Sequence, residues 1–184
     1  MPTMRAFLLV SVFCLTAVSI ANAKLEPRLQ IGEQALQLNG SGVRTKTLVQ
    51  IYEAGLYLLK PNTNATSILD ADEPMAIRIK ITSGFVSRSA LVSSLKDGLA
   101  QSTGGKTDAL AGDIEQLQQF LADDVKKNDI YDFMYTPNKG LSVLKNGKSQ
   151  GVIPGLAFKK AFFGIWLSDS PVDKDLRKGM LAGK

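Results

Sequence analysis

Arg44 and Tyr52 are the side chains around which any chemistry of this chain has to be built. Arg44 stands in LNGSGVRTKTLVQIYEAGLYLL, Leu38 to Leu59, between a glycine-rich segment and a long apolar run. A guanidinium keeps its charge and presents a rigid, planar fork of donors. That fork grips a carboxylate bidentately, and it equally stabilises an oxyanion developing in a dry cleft. Tyr52 follows with a ring that buries easily and a hydroxyl that wants a partner. The chain has no histidine, and Cys14 is its one cysteine. Ser-His-Asp and Cys-His catalysis are therefore excluded, zinc and copper lack their usual ligands, and neither metal nor cofactor is expected. Acid–base work falls to Asp, Glu, Lys, Tyr or water.

The first residues read as a targeting segment rather than as structure. A positive start to Arg5, an apolar run from Ala6 to Ile20 and a small-residue site at Ala21-Asn22-Ala23 have the layout of a secretory signal peptide, residues 1–23, cut after Ala23. The run is short for a membrane span, which needs roughly 20 residues. No later segment is apolar enough to cross a bilayer, so an exported protein, periplasmic or secreted, without a transmembrane span is expected. Cys14 leaves with the signal, and the mature chain then has no disulfide. What remains, residues 24–184, is one domain with enough length for a core. The full chain carries 22 cations against 17 acids, a formal +5. The cations are scattered, which is a solvated surface and not a nucleic-acid footprint.

The elements that must position Arg44 follow from periodicity. Ala35 to Asn39 alternates as a half-buried strand, Gly40-Ser41-Gly42 permits a turn or bulge, and Thr47 to Leu59 reads as one long strand ended by Pro61. Both faces of that strand are apolar, which predicts cover on both. Asn64 to Asp70 reads as a short helix and Met75 to Ile81 as a strand with Arg78 and Lys80 outward. Ser87 caps a helix with Leu91, Leu95 and Leu99 inward; Thr107 is expected to cap a second with Leu110, Ile114, Leu117 and Leu121. Strands follow at Asp129 to Thr136, Leu141 to Lys145 and Gln150 to Ile153, with Asn146-Gly147 the strongest hairpin signal. Pro154 opens a helix carrying Phe158, Phe162, Phe163, Trp166 and Leu167, and Ser170-Pro171 a last one, Val172 to Leu181. Strands, helices, a hairpin and helices in separate runs mean α+β.

Two blocks, Leu38 to Leu58 and FFGIWLSDSPVDKDLRKGMLAG from Phe162 to Gly183, resemble the bacterial, exported branch of the chalcone isomerase-like family. The resemblance implies an open-faced β-sandwich: a large antiparallel sheet with helices packed on one face and a cleft between. Its plant enzymes close a chalcone to a flavanone, while related members bind fatty acids in the equivalent cleft. In both, an arginine matching Arg44 faces the ligand's polar end. The enzyme's threonine falls at Tyr52, where the fatty-acid-binding branch has tyrosine. Its tyrosine falls near Met134, with Tyr131 and Tyr135 as neighbours, and its late-helix polar pair near Gly164 and Ile165, where nothing polar stands.

Three functions follow. The first is non-enzymatic binding of a small, mainly apolar ligand with an anionic head, a fatty acid above all, held by Arg44, Tyr52, Tyr135 and Met134. The second is an intramolecular lyase with Arg44 as its catalytic group; the third is a protein-interaction module without ligand. The blander expectations are that Arg44 pairs an acid such as Glu53, that Tyr52 and the aromatic run around Phe162 are core, that Lys159-Lys160 is a solvated face, and that Glu53 is answered by Arg78 or Arg44.

Overall fold

The structure, a computed structural model, describes residues 25–183. The expected signal peptide, residues 1–23, and Cys14 within it lie outside the described residues. Seven strands form one antiparallel meander, each paired with its neighbour in chain order: β1 (Arg28–Ile31), β2 (Gln34–Lys46), β3 (Val49–Leu58), β4 (Met75–Ile81), β5 (Ile130–Thr136), β6 (Gly140–Lys145) and β7 (Lys148–Ile153). The sheet curls into a half-barrel. Helices α1 (Ala65–Asp70), α2 (Arg88–Ser102), α3 (Ala111–Phe120), α4 (Leu156–Leu167) and α5 (Lys174–Met180) pack on one side. Among the described residues no helix is long and apolar enough to cross a membrane.

The inner face follows from strand alternation. Tyr52, Ala54, Leu56 and Leu58 of β3 meet Met75, Ile77, Ile79 and Ile81 of β4 and Tyr131, Phe133 and Tyr135 of β5, all buried beneath α2 and α4. Helix α4 fills the space with Phe158, Phe162, Phe163 and Trp166. The Phe133 and Phe162 ring centroids are 4.8 Å apart, and those of Phe162 and Trp166 are 5.4 Å apart. Among the described residues no helix covers the outer face. A small cluster of Leu29, Leu36, Tyr57 and Ala76 covers part of it, and the Tyr57 hydroxyl donates to the Glu26 carbonyl at 2.9 Å. The second apolar face of β3 is thus answered by the N-terminal strand, which the sequence pattern does not announce.

Gly40-Ser41-Gly42 is no turn. It lies inside β2, and one extra residue, Asn39, is bulged out of the ladder between Leu38, opposite Tyr57, and Gly40, opposite Leu56. A bulge of one residue transfers every following side chain to the other face. Leu36 and Leu38 therefore point outward while Gly40, Gly42 and Arg44 point inward. Asn39 is fully buried and holds the kink: its amide donates to the carbonyls of Asn62 at 2.9 Å and Met180 at 2.8 Å, and its oxygen accepts from the Asn62 N–H at 2.8 Å. Gly40 lets α5 lie directly on the strand, since a Cβ there would stand 2.2 Å from the Gly179 carbonyl oxygen.

The hairpin turn falls instead at Thr47-Leu48, both with positive φ, 47° and 67°. A two-residue turn of this hand matches the sheet's twist, but it usually takes Asn-Gly, so no residue signals it here. Two helix starts also move. Thr107 makes no side-chain cap; a 3-10 turn, Asp108–Leu110, precedes α3. The last helix begins at Lys174 because the Asp173 carboxylate, not Ser170, accepts from the Leu176 N–H at 2.9 Å. Arg78 pairs bidentately with Asp132, at 2.6 and 3.0 Å, and with Glu26 at 2.8 Å, so Glu53 is not its partner; Glu53 stands opposite Lys80 in the ladder.

Asn39→Ala strips three buried groups of partners and Gly40→Ala drives a Cβ into α5. Each is expected to destabilise the fold by about 2–4 kcal/mol in urea unfolding, against less than about 1 kcal/mol for Gly104→Asn on an open turn. A change below 1 kcal/mol at both buried positions would refute this packing.

Candidate functional site

The bulge delivers Arg44 beside the middle of α2. Its Nη1 donates to the Ser94 hydroxyl at 2.6 Å, and its guanidinium lies 5.8 Å from the centre of the Tyr52 ring, its partner across the ladder. Arg44 is half-buried and Tyr52 buried. Behind them the Trp166 indole donates to the Tyr52 hydroxyl oxygen at 2.9 Å. Burial pushes the Tyr52 phenol up, while Arg44 and the Trp166 bond pull against it. A hydroxyl oxygen that accepts here still carries its own proton, so Tyr52 remains a donor.

Arg44 and Ser94 stand at the edge of a cavity of about 290 Å³ between β2 and α2, walled also by Lys46, Ser93, Gly98, Gln101 and Val172, with Asp97 as its carboxylate; Tyr52 lies buried behind Arg44. Two cations against one acid favour an anion. The volume is at the lower edge of the ~300–1,000 Å³ usual for small-molecule sites. It does not run on into the sheet–helix interior. Trp166 closes that side, and α2 and α4 touch so closely that a Cβ on Gly98 would stand 2.6 Å from Ile165 Cγ2.

The other expected site residues are elsewhere. Met134 faces outward against the cluster around Tyr57 and Ala76, because its place on β5 is out of phase with Phe133 and Tyr135. Tyr135 is inward but pairs with Met75, itself opposite Leu58, six β3 residues beyond Tyr52 and so roughly 20 Å along the sheet. Its hydroxyl donates to Asp72 at 2.6 Å; burial first and that bond second push its phenol up to about 12. Gly164 packs toward Ser102 and Ile165 is core, so neither presents a polar group to Arg44.

Four residues with roles here or nearby escape a sequence reading. Ser94 and Gly98 fall on the same helical face as Leu91 and Leu95, and small polar or absent side chains within an apolar stripe are the available signal of a close neighbour. Trp166 reads as core and is core, but its N–H needs an acceptor and finds Tyr52. Lys159 is no solvated residue. It is fully buried, and its ammonium donates to the carbonyls of Ile68, Leu69 and Ala71 at 2.8, 2.9 and 2.8 Å, closing the end of α1.

The chalcone isomerase-like family profile matches residues 17–182, nearly the whole chain. The chain belongs to this family. A fatty-acid binding protein of Arabidopsis thaliana has a similar solved structure, with a TM-score of 0.65 and 21% identity over 83% of this chain and 89% of that one. At that identity the likeness extends to the chalcone isomerase-like fold. No curated protein sequence matches the chain.

Lys159 gives the far end of the sheet a pH signature. Burial, with Lys160 adding repulsion, pulls its ammonium down from 10.5 to about 8. The unfolded lysine keeps its proton through that window and the folded one loses it, so the unfolded state binds more protons and stability rises with pH. Urea unfolding between about pH 8 and 10 is expected to show a gain on the order of 1–3 kcal/mol that Lys159→Met abolishes. A flat or falling wild-type profile there would contradict it. Above that range the trend reverses, because the folded phenols of Tyr57 and Tyr135, pushed up to about 12, keep protons that unfolded tyrosines lose.

Proposed function

We propose that this protein is a non-enzymatic, exported binder of a small, mainly apolar molecule with an anionic head, a fatty acid being the best fit. Arg44 carries the reading. It is turned inward by the Asn39 bulge and stands at the rim of a cavity with Lys46 and Ser94 around it and the Tyr52 phenol behind it. A carboxylate at that rim would replace Ser94 as the acceptor of the Arg44 fork and would take a second bond from Tyr52. The Arabidopsis fatty-acid binding protein supports the choice of ligand by fold. Export, to a periplasm or beyond, rests on the layout of residues 1–23.

Ring closure is the weaker reading of the same site. An intramolecular lyase needs polar groups to orient the nucleophile opposite the guanidinium, and Met134, Gly164 and Ile165 supply none. The tail of a bound acid has two routes: along the α2 wall past Gly98 and Val172, or inward if Trp166 yields. The Tyr52–Trp166 bond sets the balance between them, so this tryptophan limits chain length.

Protein purified from its native compartment is expected to release fatty acids detectable by mass spectrometry. In titrations, Arg44→Ala should weaken binding by roughly ten- to hundredfold and Tyr52→Phe by several-fold, as charge-assisted and neutral hydrogen bonds differ. Trp166→Phe should favour longer chains. Protein without bound acyl chains, with no affinity that depends on Arg44, would overturn the proposal. An Arg44-dependent closure of a hydroxychalcone above the spontaneous rate would replace it with the lyase.

A further inference from the structure

Among the described residues, the most exposed large apolar side chains all gather at one end of the sheet. Leu48 is 97% and Phe85 91% exposed, and Val43 and Val49 are open beside them. Leu48 tips the β2–β3 hairpin. Phe85 tips the loop between β4 and α2, which leaves the sheet alongside: the Thr82 N–H donates to the Ile51 carbonyl at 3.1 Å and its hydroxyl to that of Gln50 at 3.0 Å. A bond from the Phe85 N–H to the Ser83 hydroxyl at 3.1 Å closes that loop locally. Two separate loops therefore carry apolar tips at one pole of the molecule.

We propose that this pole docks on an anionic lipid surface. Residues 44–52 and 82–90, which make up both loops and their roots, contain Arg44, Lys46 and Arg88 and no Asp or Glu. The exposed Arg88 guanidinium bonds the carbonyls of Leu121 and Gln118; Asp97 is the carboxylate that shares its groove, with Lys96 beside it. The nearest carboxylate in the ladder is Glu53, opposite Val43. Protruding apolar tips flanked by the exposed Lys46 and Arg88 suit a fluid bilayer: the tips enter the acyl boundary and these two cations meet the headgroups, with no matching contour required. A protein partner would call for a groove or a flat complementary face, and two loop tips make neither. Leu48 sharpens the point. It occupies a left-handed position that asparagine fills more easily, so neither the turn nor the core accounts for a leucine there. The surface is independent of the ligand reading, but it lies at the end of the sheet where the Arg44 cavity opens.

Vesicle flotation tests it. Full mature protein is expected to float with phosphatidylcholine vesicles that carry phosphatidylglycerol, to bind phosphatidylcholine alone weakly, and to release at high salt. Leu48→Asn relieves the backbone and Phe85→Ser touches no packed neighbour, so both variants fold. Each should lower vesicle affinity roughly tenfold, and Lys46→Gln should flatten the salt response. Fatty-acid affinity in free solution should stay unchanged in both tip variants, which separates failure here from failure of the ligand site. Equal flotation of wild type and the double tip variant, or none for either, would overturn the proposal. So would a concentration-dependent dimer that the tip variants abolish, which would assign the pole to a second copy.

Discussion

One surplus residue decides which way the guanidinium points. Without Asn39 the β2 ladder would run in phase from Leu36 onward, and Arg44 would share the outer face with Leu36 and Leu38. With it, the strand changes face, Gly40 and Gly42 come inward, and α5 settles on them. Arg44 becomes the first inward side chain beyond that helix. The bulge is not free-standing: its amide ties β2 to the segment after β3 and to the end of α5. Fold and site thus share a single fastening, and the C-terminal helix belongs to the site although it contributes no ligand contact of its own.

The site that results is peripheral to the core rather than a hollow within it. The inner face is closed by α4, whose aromatic side chains interlock with Phe133 and whose Trp166 reaches through to Tyr52. Such packing stabilises the sheet and leaves the polar rim as the part of the cleft open to solute. The tyrosine links the two regions: it is buried in the core, its oxygen accepts from Trp166, and the Arg44 guanidinium lies beside its ring. At the other end of the sheet Lys159, Tyr135 and Asp72 form a separate polar knot, whose work is to hold α1 against β4 and α4.

Much of the architecture is legible in the residues, and the failures have physical causes. Alternation in Met75 to Ile81, the leucine spacing after Ser87 and the Asn146-Gly147 turn locate their elements because each is a local signal. The family resemblance of the Leu38 block and of the stretch after Phe162 implied a large antiparallel sheet with helices on one face, and the matched profile and the structure agree. The glycine segment left a turn and a bulge open, because glycine serves both; the bulge is the one present, and the neighbour that explains Gly40 is Gly179. Thr47-Leu48 was hidden because its conformation is imposed by the hairpin against local preference. Strand β1 has too few residues to show a period. At the site, Arg44 and Tyr52 were named from their residue types and the family motif, and their pairing across the hairpin is seen only in the ladder. Met134 and Tyr135 were carried over by motif position, which ignores that neighbours on a strand face opposite ways and that six residues along it is a long distance. Lys159 looked like surface since sequence shows its charge and not the three carbonyls awaiting it.

The central claim is that an inward-turned guanidinium receives the head of an amphipathic acid. A crystal structure of residues 24–184 grown with a saturated fatty acid tests it most directly. The carboxylate should lie within hydrogen-bonding distance of both Arg44 and the Tyr52 hydroxyl, with Ser94 released from the guanidinium. A carboxylate bound elsewhere, or Arg44 still on Ser94 with the acid absent from the cavity, would contradict the account.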